Sequence, residues 1–151
     1  MDCDKLDNFA NTKVSEIMIK DPLYITPNEK ISTTELIMLR KNIGGLPVVT
    51  EKDQKILMGI ITQRDIRLAR FAIALESPNT LVKDLMTSDP FVVREDDTIV
   101  DVLTNFFEHN VERLPVINEK NELVGLVLEK NILKKIFDLI KNILSKKGIW
   151  Q

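Results

Sequence analysis

The feature that most constrains the fold of this chain is an internal repeat. KDPLYITPNEKI aligns with SDPFVVREDDTI, and NIGGLPVVTEK aligns with NVERLPVINEK, at an offset of 68 residues, as from Pro47 to Pro115. After the loop TEKDQK, which carries two extra residues, the offset falls to 66, as from Gly59 to Gly125. Other identical pairs are Val14/Val82, Met18/Met86, Asp21/Asp89, Pro22/Pro90, Ile31/Ile99, Asn42/Asn110, Leu46/Leu114 and Val48/Val116. Identities at corresponding places indicate two copies of one supersecondary unit.

Each copy changes its apolar period in the same order. LYI and FVV, which follow a proline, predict a short first strand. ISTTELIMLRKN and IVDVLTNFFEHN then carry apolar residues near helical spacing. Two β-rich apolar runs separated by a charged loop predict a hairpin, and a second helix follows, from Thr62 towards Leu75 and from about Glu129 towards Leu144. The predicted fold class is α/β (α+β), with two β-α-β-β-α repeats that bury their apolar faces against each other.

The repeat divides the chain into four predicted segments. They are an N-terminal extension at 1–13, a first repeat at 14–76, a second repeat at 82–140, and a C-terminal helical tail at 141–151. The polar start of the chain, around Cys3, is expected to be disordered.

Composition excludes several classes of function. One cysteine and one histidine allow neither a disulfide framework nor a metal site of the usual sulfur and nitrogen ligands within one chain. A net charge of -2 supplies no basic field for nucleic acid, which is therefore disfavoured as a partner. No signal-like or membrane-spanning segment is found, so we expect a soluble, cytoplasmic protein with no membrane partner. An enzyme is the least favoured class, because no motif pairs a nucleophile with a base.

The phrase GIITQRDI, from Gly59 to Ile66, holds the most informative polar residues. Thr62 stands at the junction of strand and helix, and Asp65 follows three residues later, which is the pattern of a helix cap. Capping alone would explain the pair. A helix N-terminus beside a hydroxyl also binds phosphate, and a short carboxylate accepts hydrogen bonds from two neighbouring ribose hydroxyls. The spacing leaves both interpretations open.

A D-P turn, a short strand, a helix ending in NIGGLPVV, and then G-x-x-T-x-x-D opening a helix resemble a CBS domain. Two in tandem resemble a Bateman module, and the resemblance covers about Val14 to Ile136. It implies a disc-like pair of domains that often forms a homodimer, with clefts between the repeats that bind AMP, ADP, ATP or S-adenosylmethionine. It also implies a regulatory role, such as energy sensing, for an attached or associated partner protein, without catalysis and without a required cofactor.

The resemblance assigns phosphate binding to Thr62 and ribose binding to Asp65. Further predicted contacts of this cleft are Glu112, Arg113, Asp89, Pro90 and Phe91. Arg113 is the leading phosphate partner because its guanidinium binds two oxygens at once, and Arg64 is a second cation beside the turn. The apolar candidates for contact with the base are Ile60, Phe91 and Val116.

The second copy, GLVLEKNI, has lost these polar groups. Leu128 replaces the threonine and Asn131 replaces the aspartate, which leaves a weaker set of hydrogen-bonding groups. The opposite cleft would draw on Lys20, Asp21, Pro22, Leu23, Gly44, Gly45 and Asn131. We expect it to be empty, weaker, or used by a different adenosine ligand. The same loss supports an alternative function, a structural or interaction module with vestigial clefts that recruits a partner protein.

Overall fold

The computed structural model describes residues 2–51, 54–73 and 79–150. Within these ranges the elements follow in the order α1 (Asp2–Ala10), α2 (Val14–Ile17), β1 (Ile19–Lys20), α3 (Ile31–Lys41), β2 (Gly45–Val49), β3 (Leu57–Thr62), α4 (Gln63–Ile73), α5 (Val82–Leu85), β4 (Thr87–Ser88), β5 (Val93–Arg94), α6 (Ile99–His109), β6 (Arg113–Ile117), β7 (Leu123–Leu128) and α7 (Glu129–Lys146). The strands form two sheets, with the orders β1-β7-β6-β5 and β2-β3-β4. The predicted mixed α/β class is confirmed.

The chain divides into two compact units that differ from the two sequence repeats. Unit 1 comprises Met1–Lys20, Phe91–Val116 and Val124–Gln151, and unit 2 comprises Asp21–Pro90 and Ile117–Leu123. The segment that opens each repeat is exchanged, because β1 pairs with β7 of the second repeat and β4 pairs with β3 of the first. Each unit is therefore assembled from separate stretches of the chain.

The two units bury equivalent positions of the repeat. The core of unit 1 consists of Val14, Val93, Ile99, Val102, Phe106, Leu114, Val116, Val127 and Ile132. The core of unit 2 consists of Ile25, Ile31, Met38, Leu46, Val48, Ile61, Ile66 and Val82. Val14 is thus buried among residues of the second repeat, and Val82 among residues of the first. Burial of these apolar side chains holds the exchanged segments in place.

The first strand predicted at LYI is not formed as a strand. Ile25 makes a single parallel bridge, with Val48. The neighbouring Pro22 and Pro27 have no N–H to add to a ladder. The equivalent FVV run contributes only β5. The other predicted elements are present as α3, α4, α6 and α7 and as the strand pairs β2/β3 and β6/β7.

The expected disorder at the start of the chain is wrong, because α1 occupies this segment. Phe9 of α1 packs against the core of unit 1, which ties the helix down, and Cys3 is exposed. The predicted repeat boundaries stay predictions, and residues 74–76 of the first repeat, including the helix end near Leu75, lie outside the described residues.

Backbone conformation explains several of the repeated residues. Asn42 and Asn110 have φ angles of 51° and end α3 and α6 in the left-handed conformation, which asparagine tolerates better than most residues. Asp21 and Asp89, with φ of 47° and 48°, hold the two turns before proline in the same region. These turns lead the chain out of β1 and β4.

Candidate functional site

Thr62 ends β3 and Asp65 lies in the first turn of α4, where the two residues form a reciprocal cap. The N–H and Oγ1 of Thr62 both donate to Asp65 Oδ2, at 2.8 and 2.7 Å. The N–H of Asp65 donates back to Thr62 Oγ1 at 3.2 Å. The capping interpretation is confirmed. Both residues remain half-buried.

A second cap of the same kind starts α6. There the N–H and Oγ1 of Thr98 donate to Asp101 Oδ2 at 2.7 and 2.9 Å, and the N–H of Asp101 donates to Thr98 Oγ1 at 3.4 Å. Sequence reasoning assigned no ligand role to this pair. The geometry of a threonine and an aspartate three residues apart therefore does not by itself mark a binding site, and Asp101 provides a matched control for Asp65.

A second hydroxyl group distinguishes Asp65 from this control. Oγ1 of Thr87, in β4, donates to Asp65 Oδ1 at 3.3 Å. The register Gly59–Ser88 and Ile60–Thr87 places β4 alongside β3 and so brings Thr87 to the start of α4. Asp65 thus accepts hydrogen bonds at both carboxylate oxygens, two at Oδ2 and one at Oδ1.

The equivalent turn in unit 1 lacks the threonine hydroxyl and the carboxylate. Leu128 makes no side-chain cap for α7. Asn131 stands where unit 2 has Asp65, and Ile19 in β1 stands where unit 2 has Thr87. Sequence reasoning missed Thr87, because it compared the identical pairs of the repeat and Ile19, the counterpart of Thr87, is not identical. The replacement of threonine by isoleucine, in the same unit that lacks the threonine and the aspartate, could have indicated a role for Thr87.

The start of α4 is less open to an anion than the sequence suggested. The N–H of Gln63 donates to the carbonyl of Gly44 at 2.9 Å, and the N–H of Asp65 is used by the cap. Gly45 pairs with Thr62 across β2 and β3. Gly44 and Gly45 therefore lie beside Thr62 in unit 2, and their assignment to the second cleft stays a prediction.

Three other predicted site residues, Glu112, Arg113 and Phe91, lie in unit 1. The Glu112 carbonyl accepts the N–H of Glu129, the first residue of α7, at 3.0 Å. Arg113 Nη1 is 3.6 Å from Glu112 Oε2, and the arginine side chain is 23% exposed. The Phe91 ring stacks on His109 with centroids 3.7 Å apart. Their predicted ligand roles stay predictions.

The remaining predicted residues occupy turn, strand and helix positions. Arg64 is exposed on α4, and Ile60 is half-buried in β3. Val116 has no exposed surface and belongs to the core of unit 1, so a contact with a base is excluded for it. Lys20, Asp21, Leu23 and Asp89 are exposed, Pro90 and Asn131 are half-buried, and Pro22 is buried. Among the described residues, no group of three or more His, Cys, Asp or Glu side chains could hold a metal ion.

Comparison with known proteins finds matches along most of the chain. The CBS domain model matches residues 14–71 and 82–138. An inosine-5′-monophosphate dehydrogenase from Methanocaldococcus jannaschii is 35% identical over 126 residues, which are 83% of this chain and 24% of that enzyme. The chain therefore spans about a quarter of the length of the curated relatives it matches.

Two solved structures resemble the fold of this chain along most of their length. A CBS domain pair in complex with 5′-methylthioadenosine and S-adenosyl-L-methionine is 27% identical, with a TM-score of 0.73 covering 84% of this chain and 97% of that one. CBSX2 from Arabidopsis thaliana, in complex with AMP, has a TM-score of 0.73 covering 85% of this chain and 98% of that one. At 22% identity the second likeness concerns the fold alone.

Proposed function

The chain belongs to the CBS-domain family, and on that premise we propose that it is a regulatory module that binds an adenosine compound at Asp65. The observation that carries the proposal is the unequal use of the two carboxylate oxygens. Oδ2 accepts two short hydrogen bonds from Thr62, whereas Oδ1 accepts one longer bond from Thr87. Since an ionised carboxylate has about four acceptor sites, Oδ1 retains capacity for a ribose hydroxyl.

The candidate ligands share the group that Asp65 would recognise. AMP, ADP, ATP and S-adenosylmethionine all carry an adenosine ribose with two neighbouring hydroxyls. Support comes from the similar CBS domain pair, which holds S-adenosyl-L-methionine and 5′-methylthioadenosine. Ribose recognition alone does not select among these compounds, so the group attached to the 5′ carbon decides the preference.

Cations would distinguish phosphorylated ligands from S-adenosylmethionine. A phosphate near Asp65 is repelled unless positive charge lies nearby, and we propose Arg64 and Arg113 for that role. The other contacts proposed from the family resemblance are Glu112, Asp89, Pro90, Phe91 and Ile60. Replacement of Arg113 by alanine should weaken AMP and ATP binding more than S-adenosylmethionine binding, because S-adenosylmethionine has no phosphate and carries a single carboxylate beside its positive charges.

Calorimetric titration tests the ribose assignment. AMP, ATP and S-adenosylmethionine are each titrated into the wild type, Asp65→Ala and Asp101→Ala. Both variants lose a helix cap of the same geometry, but only the first should weaken binding, by about tenfold or more, which is the loss of a charge-assisted hydrogen bond of about 1.5 kcal/mol. Equal affinities for all three proteins, or no binding of any ligand by the wild type, would contradict the proposal.

A regulatory module acts on another protein or domain. A ligand regulates only if it binds two states of the protein with different affinity, so we propose a partner protein whose association depends on the ligand. The replacement of threonine by Leu128 and of aspartate by Asn131 favours a second candidate function, an interaction module with vestigial clefts. A partner that is retained equally with and without nucleotide, by the wild type and by Asp65→Ala, would favour that second function.

A homodimer is the assembly we propose. Large apolar side chains are exposed at equivalent positions of the two repeats, with Leu39 and Phe107 at 76% and 78% and Phe71 and Phe137 at 84% and 49%. Recurrence of large exposed apolar groups at the same positions of both repeats supports an association surface on each unit. Phe71→Ser should shift light-scattering mass towards the monomer. A wild type that is monomeric at micromolar concentration would overturn the assembly.

The expected cytoplasmic location remains a proposal. None of the helices described in the structure combines the length and the hydropathy that crossing a bilayer requires.

A further inference from the structure

Thr87 is placed to contact a ligand as well as to hold Asp65. Its Oγ1 lies 3.3 Å from Asp65 Oδ1, on the side of the carboxylate that the Thr62 cap leaves open. Thr87 is exposed, and its strand, β4, has only two residues. From this geometry we infer that Thr87 is a second ribose-contacting residue of the site and helps to select a ligand that carries both ribose hydroxyls. The inference rests on the proposed adenosine binding at Asp65.

The two oxygen atoms have complementary hydrogen-bonding capacities. Asp65 Oδ1 only accepts hydrogen bonds, whereas a threonine hydroxyl donates one and accepts up to two. Two hydroxyls on adjacent ribose carbons therefore find two receiving oxygens side by side. One ribose hydroxyl donates to Oδ1 and its neighbour donates to Thr87 Oγ1, while Thr87 keeps its own bond to the carboxylate. A deoxyribose would leave one of these acceptors without its donor.

A purely structural role does not account for the hydroxyl of Thr87. The cap formed by Thr98 and Asp101 reaches closely similar distances, and among the described residues the Asp101 carboxylate receives hydrogen bonds from Thr98 alone. A cap of this kind therefore does not need a second hydroxyl. The bond from Thr87 is also the longest of the four hydrogen bonds made by Thr62, Asp65 and Thr87 within this cluster.

The second copy of the repeat supports a shared purpose for the three residues. Where unit 2 has Thr62, Asp65 and Thr87, unit 1 has Leu128, Asn131 and Ile19. Ile19 still forms the same strand pair as Thr87, since Ile19 opposes Leu126 as Thr87 opposes Ile60. Strand pairing thus proceeds without the hydroxyl. Loss of both hydroxyls and of the carboxylate charge together is expected if the three residues serve one polar ligand.

The assignment is tested by combining a substitution of Thr87 with the removal of each ribose hydroxyl from the ligand. AMP, 2′-deoxy-AMP and 3′-deoxy-AMP are titrated into the wild type and Thr87→Val, which removes the hydroxyl at nearly constant volume. Thr87→Val should weaken AMP binding about three- to tenfold, as expected for one neutral hydrogen bond. It should weaken one of the two deoxy ligands hardly at all, because the hydroxyl that Thr87 contacts is already absent. Thr87→Ser should restore the affinity for AMP.

Control experiments separate the possible failures. Ser88→Ala, the neighbouring residue of β4, should bind all three ligands as the wild type does, and circular dichroism of each variant checks that it is folded. If Thr87→Val weakens all three ligands by the same factor, or changes none of them, this inference is overturned while adenosine binding stands. If the wild type binds neither AMP nor S-adenosylmethionine, the proposed function fails and this inference fails with it.

Discussion

The carbonyl oxygen of Thr87 lies so close to Gly59 that a Cβ atom on residue 59 would be 2.5 Å from it. Gly125 is the equivalent glycine of unit 1, where the nearest atom to an added Cβ is Sδ of Met18, also at 2.5 Å. The carbonyl is held by strand pairing, whereas the sulfur lies near the end of a flexible side chain. The two glycines are therefore equivalent in position and unequal in their tolerance of a side chain.

Gly59→Ala is expected to destabilise the protein more than Gly125→Ala. Overpacking against backbone costs about 1–3 kcal/mol, and rotation of Met18 should reduce the cost at residue 125. Gly59→Ala should also weaken adenosine binding, because it displaces Thr87 from Asp65. Urea unfolding and calorimetry measure both effects. Equal destabilisation by the two variants would contradict the distinction between backbone and side-chain neighbours.

Thr62→Ala and Thr98→Ala should have similar effects on stability and different effects on binding. Each substitution removes a threonine cap of matched geometry, which costs about 0.5–2 kcal/mol. Ligand affinity should fall only for Thr62→Ala, since the cap of α6 has no part in the proposed site. Thermal unfolding with and without ligand distinguishes the two effects. A ligand-induced rise in Tm that is lost equally in both variants would argue for a general loss of stability.

Asn131→Asp is expected to stabilise the protein. Residue 131 lies in the first turn of α7, which begins without a side-chain cap. A negative charge there interacts favourably with the helix dipole by about 0.3–1 kcal/mol at low ionic strength. The gain should shrink in 1 M salt, where the Debye length is about 3 Å. Asn142→Asp, farther along the same helix, is the control and should give no comparable gain.

Phe137→Ala should change the fluorescence of Trp150, the single tryptophan of the chain. The two rings meet edge to face with centroids 6.2 Å apart. Removal of the phenylalanine ring should expose the indole and shift its emission to longer wavelength. An aromatic pair of this kind contributes about 0.5–1.5 kcal/mol, so the loss of stability should be small. Unchanged emission would show that the end of the chain does not hold this contact in solution.

The sequence predicted the class of fold and the order of the longer repeat helices and the hairpins, but the strand predicted at LYI is not formed and the exchange of opening segments was not predicted. Val14 and Val82 are identical and have similar neighbours, so the apolar pattern shows that both are buried without showing which copy buries each. The role of Asp65 was also ambiguous from the sequence. A helix cap and a ribose-binding site both require an aspartate at this position, so the spacing alone could not distinguish them. Thr87 was missed because its repeat counterpart, Ile19, is not identical and because its hydrogen bond depends on the pairing of β4 with β3.

Because the opening segments are exchanged, the first segment of the chain is synthesised long before the strand with which it pairs. Ile19 pairs with Leu126, and more than one hundred residues separate them along the chain. At about 5–20 residues per second, a ribosome needs on the order of ten seconds to make that stretch. Phe9 and Val14 are therefore made well before the residues of the second repeat that cover them. Until those residues follow, the apolar side chains of this opening segment lack the partners that they contact in the folded unit.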